Sequence, residues 1–292
     1  MNKIIKSYVK DFHRSYTAGL TAAWEKRSIQ SRVSSLKLNQ NYPYDAEAKL
    51  LRKLDLAGKT MFDIGANSGF FSSTMEDIVT SEKLYIFEPI PKLYRYLKKR
   101  FQCAHVVNAA ISDRNGKEIL RLPYINNQLY DTRATLSKNH TEKNQTHFDE
   151  IEVKLIKLDD FVANNKISEL SLLKVDVEGH EIEVLEGAVN TLANLKPLVF
   201  IEIEARHHKD EVSPVFDRLT MHNYKGYFLD PINRTLNTVS HFSADRDQKL
   251  EHLYSRQFHK YHNNFFFVHD SKETAFLKNV NKFLELEKTL SA

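Results

Sequence analysis

Short apolar runs alternate with helical spacing along most of this sequence, and that alternation leaves few folds open. KTMFDIG is an apolar run closed by glycine, SGFFSSTMEDIV has helical spacing, KLYIFEP is a run stopped by proline, KLYRYLKKRF is a basic-faced helix, and AHVVNAAIS is a third run. Strands separated by helices cannot pair as hairpins, so the pattern predicts an α/β fold: a mostly parallel sheet with helices on both faces. It resumes with the strand LSLLKVDV and the helix EIEVLEGAVNTLANL, which puts Ile182, Leu185, Val189 and Leu192 on one face. PLVFIEIEA is a strand, PVFDRLTMHNY a helix, NNFFFVHD a final apolar strand and TAFLKNVNKFLELEKTL a last helix. Phe265, Phe266 and Phe267 read as core, not as a base-stacking platform, because no basic residues interleave with them.

Between the two blocks, SDRNGKEILRLPY carries the turn signal Asn115-Gly116 between runs that can pair as a hairpin. Residues 124–148 are polar without clear period and read as a long surface loop or flap; IEVKLIKLDDF then alternates as a strand. Residues 232–262 are polar and carry no assignable pattern, and both polar stretches are candidate substrate loops or insertions. Ahead of the sheet, AEAKLLRKLDL is a helix ending near Gly58. Residues 1–44 read as a helical extension broken at Tyr42-Pro43-Tyr44-Asp45, and residues 45–292 as one domain.

Charge narrows the partners. A net +4 is too weak to argue for nucleic acid. The basic excess sits forward, with eight Lys/Arg and two Asp/Glu in residues 1–40, which suits a solvated arm or a surface for acidic membranes or anionic glycans. MNKIIKSYVKDF has no apolar core or cleavage site of a signal peptide, and no run approaches ~20 apolar residues, so the expected compartment is the cytoplasm. Cys103 is the one cysteine; its apolar downstream neighbourhood predicts a buried, inert thiol.

In an open α/β sheet, ligands bind outside the carboxyl ends of the strands. Five ends carry polar groups here: Asp63-Ile-Gly65-Ala66-Asn67-Ser-Gly69, Glu88-Pro89, Asn108-Ala109-Ala110, Asp176-Val-Glu178-Gly179-His180, and Glu202-Ile-Glu204. Gly65 and Gly69 permit a tight turn and close approach of backbone to a ligand, Asn67 tolerates the left-handed region, and a helix starting near Ser68 offers free N–H groups. Glu88 lies 19 residues past Gly69, where a carboxylate reaches ribose hydroxyls. The pattern points to a nucleoside cofactor. The glycine spacing is wrong for a dinucleotide, and an acid at Asp63 suits a cationic amine such as the methionine end of S-adenosylmethionine better than a pyrophosphate.

FDIGANSGFF, YIFEP, VVNAAISD, LLKVDVEGHEIEVLEGA and PLVFIEIE together resemble the FkbM family of S-adenosylmethionine-dependent methyltransferases, over residues 45–205 and more loosely through NNFFFVH. The resemblance implies a Rossmann-like class I methyltransferase sheet of seven strands, the last antiparallel, and O-methylation of a hydroxyl on a sugar, glycolipid or natural-product intermediate. It implies that Asp63, Gly65, Ala66, Asn67 and Gly69 hold the methionine part, Glu88 the ribose, and Asn108 and Ala109 the adenine side, with Pro89 also among the cofactor-binding residues. The first 40 residues and the two polar stretches have no counterpart in it, so the acceptor stays open.

An acceptor hydroxyl needs a base within hydrogen-bond reach. The candidates are Asp176, His180, Glu202 and Glu204; alternation pairs Asp176 with Glu178 and Glu202 with Glu204 on adjacent strands. The same acids allow a second arrangement, in which Asp176 with Glu202 or Glu204 holds Mg2+ against a diol. Plainer readings stand beside these. Helix-dipole matching explains Glu181 and Glu183, Glu178 reads equally as a cap, His180 as a turn lining, and His207-His208 as a solvated helix start. An NAD-dependent sugar oxidoreductase and a non-catalytic nucleoside-binding module are the alternatives in function.

Overall fold

The computed structural model describes residues 45–137, 140–208, 211–253 and 260–289; the expected helical extension and its basic arm lie outside them. The strands are β1 (Met61–Ile64), β2 (Leu84–Phe87), β3 (His105–Val107), β4 (Ala110–Ser112), β5 (Gly116–Ile125), β6 (Gln128–Leu129), β7 (Gln145–Lys157), β8 (Leu172–Val175), β9 (Leu198–Glu202), β10 (Tyr224–Asp230), β11 (Thr235–Thr238) and β12 (Asn264–His269). Among the described residues, the helices of six residues or more are α1 (Asp45–Leu51), α2 (Phe70–Met75), α3 (Pro91–Arg100), α4 (Leu158–Asn164), α5 (Glu181–Glu186), α6 (Val189–Leu195), α7 (Ser213–Thr220) and α8 (Asp270–Thr289).

The main sheet runs β11-β10-β12-β9-β8-β1-β2-β3. From β3 to β9 all neighbours are parallel, and β12 is antiparallel to both β9 and β10. This is the expected α/β methyltransferase-like sheet with its last strand reversed, extended from seven strands to eight. The extra strand arises because Asp230 accepts the backbone N–H groups of Ile232 and Asn233, turning the chain back so that β11 pairs with β10. Strand residues alternate between two cores. Met61, Leu84, Ile86, Phe200 and Phe266 pack with Phe71, Leu97, Phe276 and Val280 on one face. Phe62, Phe87, Val175, Ile201, Phe265 and Phe267 pack with Val184, Leu192 and Val215 on the other. Strands covered on both faces read as continuous apolar runs, and each large side chain buried this way contributes about 1.5–3 kcal/mol.

Five expectations change. AHVVNAAIS is not one strand: it breaks at Asn108-Ala109, β3 staying in the main sheet while β4 joins a second sheet of order β4-β7-β5-β6. Asn115-Gly116 therefore closes no hairpin, because β7 lies between β4 and β5, pairing parallel with one and antiparallel with the other. The stretch read as a loop is shorter, since β5 runs to Ile125, turns through Asn126 and Asn127 at positive φ, and β7 resumes at Gln145. The helix after β8 is two helices. A Cβ on Gly187 would stand 2.0 Å from the Ser112 carbonyl oxygen, so the second sheet presses on the chain there. Asp159 then restarts the helix by accepting from the N–H groups of Asn190 and Thr191 at 2.9 and 2.8 Å. Val189 is exposed as a result, not on the core face. Cys103 is exposed too: it sits in the turn between α3 and β3, whose buried members are Phe101 and Ala104.

Candidate active site

The turn after β1 is held by the chain itself. Gly65 and Ala66 donate to the Phe87 carbonyl, Asn67 to Glu88 Oε2 at 2.7 Å, Ser68 to Asn67 Oδ1 at 2.8 Å, and Gly69 to the Ala66 carbonyl. The N–H groups of Ser68 and Gly69, expected to be free, are thus in use. The glycines answer to the same packing: at φ +75 a Gly65 Cβ would stand 1.8 Å from the Asp176 carbonyl oxygen, and a Gly69 Cβ 2.5 Å from Leu97 Cδ2. Glu88 is buried, its Oε1 accepting from Ile90 N–H at 2.7 Å. Burial pushes its carboxyl up to about 8 against those two donors. Asn108 ties the next strand end to it by donating to the Glu88 and Pro89 carbonyls at 2.9 Å each. Ala109 is buried beside them.

Asp63 faces an amine, but one of the chain's own. Its Oδ2 accepts from Ser72 Oγ at 2.6 Å, and its Oδ1 lies 3.1 Å from Lys174 Nζ on the neighbouring strand. Lys174 also reaches Asp176 Oδ2 at 3.2 Å and the Gly65 carbonyl at 3.2 Å. Burial works to discharge this ammonium, but Asp176 and Asp63 win and raise it. Asp176 is itself pushed up by burial, against the pull of Lys174. Asp63 has no exposed surface, whereas the Asp176 side chain is 24 % exposed and stands at the rim.

Beyond Asp176 lies a cluster built around Arg206, in the single 3-10 turn after β9. Its guanidinium pairs with Glu204 and with Glu142, and lies 3.5 Å from Glu178 Oε2. Glu142 comes from the stretch between β6 and β7; Arg133 reaches it at 2.7 Å and His140 at 3.1 Å. Burial opposes its charge, yet His140, Arg206 and Arg133 hold its carboxyl far below the usual range. Burial would likewise raise Glu204, but Arg206 wins and lowers it, with Tyr261 donating at 2.9 Å. Glu202 accepts from Asn263 at 2.6 Å and is pushed well up by burial and by Glu204. Glu178 is pushed up by burial and by Glu204. The polar rim of β8 and β9 thus mixes carboxyls pulled down by Arg206 and its neighbours with carboxyls pushed up by burial, a spread of the kind that functional sites show.

A family model described as the Methyltransferase FkbM domain matches residues 63–229, more than half of the chain. The chain belongs to the FkbM methyltransferase family. Hexuronic acid methyltransferase AglP of Haloferax volcanii is 28% identical over 194 residues, covering 64% of this chain and 72% of that protein. The 2-O-methyltransferase NoeI of Sinorhizobium fredii is 27% identical over 177 residues, covering 58% of this chain and 70% of that one. Among solved structures, a methyltransferase FkbM from Methylobacillus flagellatus shares 13% identity at a TM-score of 0.43, over 72% of this chain and 43% of that chain.

This FkbM protein is an S-adenosylmethionine-dependent methyltransferase, and its predicted site residues fall into three places. Gly65, Ala66, Asn67, Gly69, Glu88, Pro89 and Asn108 line one connected rim, with Asp63 and Ala109 buried behind it. Asp176, Glu202 and Glu204 share the second region with Arg206. His180 is elsewhere: its Nε2 lies 2.9 Å from Ser112 Oγ in the second sheet and its Nδ1 3.4 Å from Glu183. Burial lowers its pKa.

Of the acids considered for Mg2+, Asp176 is paired with Lys174, Glu204 with Arg206, and Glu202 with Asn263. Among the described residues, the metal-type side chains whose atoms lie within 4.8 Å of one another are His140, Glu142 and His207. There two guanidinium groups already neutralise Glu142, which disfavours a divalent ion. His207 and His208 are not a solvated helix start: both side chains are buried, His208 Nε2 lying 2.7 Å from Glu181 Oε2. Glu181 also accepts from Gly179 N–H at 3.0 Å, so it does more than match a dipole. Arg206, Lys174, Arg133 and Glu142 went unweighed in the sequence. Arg206 follows Glu204 by two residues and Lys174 opens the acidic motif, so both stood next to a signal; Arg133 and Glu142 sit in a stretch with none.

No helix among the described residues is long and apolar enough to cross a membrane.

Proposed function

We propose that this chain transfers the methyl group of S-adenosylmethionine to a hydroxyl of a sugar. The observation that carries the reading is the acid cluster at the ends of β8 and β9, continuous through Lys174 with the turn after β1. The names of AglP and NoeI, a hexuronic acid methyltransferase and a 2-O-methyltransferase, agree with it.

The rim suits the cofactor on its nucleoside side. Each Glu88 oxygen accepts one backbone N–H and retains a second lone pair for a ribose hydroxyl. Pro89, Asn108 and Ala109 shape the adenine side. Gly65, Ala66, Asn67 and Gly69 shape the turn on which the methionine part lies. Asp63 acts from behind, by fixing Lys174. The cofactor supplies an activated methyl group on a sulfonium. The protein's share is to align the acceptor oxygen, worth several kcal/mol (about 7–11 at the extreme), and to remove its proton. Asp176 and Glu204, held by Lys174 and Arg206, are placed to accept hydrogen bonds from sugar hydroxyls and so to orient the ring.

The test is transfer of a labelled methyl group from S-adenosylmethionine to a panel of neutral glycosides and uronides, with and without chelator, the product mapped by NMR. Label on a ring hydroxyl, undiminished by chelator, is expected. Label on nitrogen only, or no transfer across the panel, would overturn the reading.

A further inference from the structure

In the acid cluster a buried imidazole and a buried carboxylate face each other without the bond that either could make. His207 Nε2 lies 3.4 Å from Glu178 Oε2, and the His207 side chain is 3% exposed. Neither atom has a hydrogen-bond partner. Orphans of this kind are uncommon, because a buried polar atom without a partner keeps its full desolvation cost.

The surroundings impose the arrangement. Glu178 sits at φ +51, in the left-handed region that a side chain disfavours, and Thr135 Oγ1 holds its carbonyl at 2.6 Å. Gly179 follows at φ +92, where a Cβ would stand 3.1 Å from His207 Cβ, so the glycine leaves room for the imidazole. The His140 ring closes the other side edge-on, centroids 4.5 Å apart. Glu178 nevertheless keeps 18% of its side chain exposed, two residues past Asp176, so it can meet a ligand at the rim.

We propose that Glu178 is the base that takes the acceptor's hydroxyl proton, and that His207 is the positioning residue that shares that proton. The proposal rests on the methyl-transfer reading above. The step balances: the acceptor O–H bond breaks and its proton passes to the Glu178 carboxylate. The freed oxygen pair forms the bond to the methyl carbon, and sulfur keeps the pair of the broken S–C bond as a neutral thioether. Glu178 returns the proton to water after the products leave.

The charges around the dyad set its strength. Glu204 and Asp176 act on Glu178 as like charges, Arg206 and Arg133 as opposite ones. Arg206, Glu204, Glu181 and His140 face His207, which burial and then Arg206 push down to about 4. The imidazole is therefore neutral at pH 7, and Glu178, raised by burial, is a stronger base than an ordinary carboxylate whenever it is ionised. Transfer should accelerate as pH rises through that ionisation.

The first test needs no acceptor: titration of the ring nitrogens of His207 by NMR in the full chain, wild type against Glu178→Gln, the resonance assigned with His207→Asn. In a coupled pair the ring shifts of His207 report the ionisation of Glu178 as a second inflection above the ring's own titration, and Glu178→Gln removes that inflection. A His207 titration unaltered by Glu178→Gln overturns the dyad. The second test uses any glycoside that the wild type methylates. Glu178→Gln is expected to lower kcat by about 100-fold or more and to abolish the alkaline rise. S-adenosylmethionine affinity should stay within about threefold, and His207→Asn should shift the rise without abolishing it. Glu178→Asp, which keeps the charge, covers the case in which the amide does not fold: it is expected to retain a shifted rise at lower kcat. Wild-type kcat and pH profile in either Glu178 variant overturn the assignment. If the wild type methylates nothing in the panel, the sugar reading falls, while the titration still decides the dyad.

Discussion

The two halves of the rim are held by different means. The turn after β1 is a local device: five consecutive residues satisfy one another, Phe87 and Glu88, and the glycines at its ends exist because Asp176 and α3 press against them. The acid cluster is assembled from distant segments. Glu142, Glu178 and Glu204 come from three parts of the chain and meet at Arg206. A local turn tolerates loss of one hydrogen bond; a buried cluster whose three carboxyl groups share the Arg206 guanidinium does not tolerate loss of that group.

The largest expected effect breaks the second half. Arg206→Met leaves buried carboxylates uncompensated and should destabilise the fold by about 3–5 kcal/mol in urea titration. Arg206→Lys should recover part of this, since an ammonium cannot fork between Glu142 and Glu204. A loss below about 1 kcal/mol in Arg206→Met would show that the cluster is not held through it. The next effect breaks the first half. Gly65→Ala should cost about 3 kcal/mol, because the new Cβ meets backbone that cannot yield. Gly58→Ala, at φ +67 but with open space, should cost only about 1–2 kcal/mol, so the difference isolates the close approach. Equal losses would assign the whole effect to φ.

The smallest effect sharpens the first half through pH. The folded state holds the Glu88 proton up to about 8, while an unfolded glutamate releases it near 4.5. Folded protein thus binds more protons across that window, and the stabilisation present below it is lost as pH rises through it. Glu88 should contribute about 1 kcal/mol to the stability lost between pH 6 and pH 7, and Glu88→Gln should make the slope shallower by that amount. A slope unchanged in the variant would mean that Glu88 is ionised throughout, held so by Asn67 and Ile90.

The same contrast explains what was legible in the sequence. The parallel sheet was readable because strands buried on both faces leave uninterrupted apolar runs, and the turn after β1 because its residues are contiguous. The second sheet was not, because AHVVNAAIS shows no break in composition where it leaves one sheet for the other. In the site, Asp176 and Glu204 were visible as acids at strand ends. Their partners were not, since Glu142 and Arg133 lie in a polar stretch and reach the cluster only through tertiary packing. His207 reads as a surface histidine until Gly179 is seen to make room for it. Asp63 shows how a correct residue can carry an incomplete role: an acid was expected to meet an amine, and the amine is Lys174.

Donor affinity measured by calorimetry on the two halves separately is the most direct test of the account. S-adenosylmethionine should bind Glu88→Ala at least about tenfold more weakly than wild type, the loss of one or two hydrogen bonds to the ribose. It should bind Glu204→Gln, altered only in the acid cluster, within about threefold of wild type, a difference under about 1 kcal/mol. Equal weakening in both variants, or wild-type affinity in Glu88→Ala, would contradict the division of the rim into a donor side and an acceptor side.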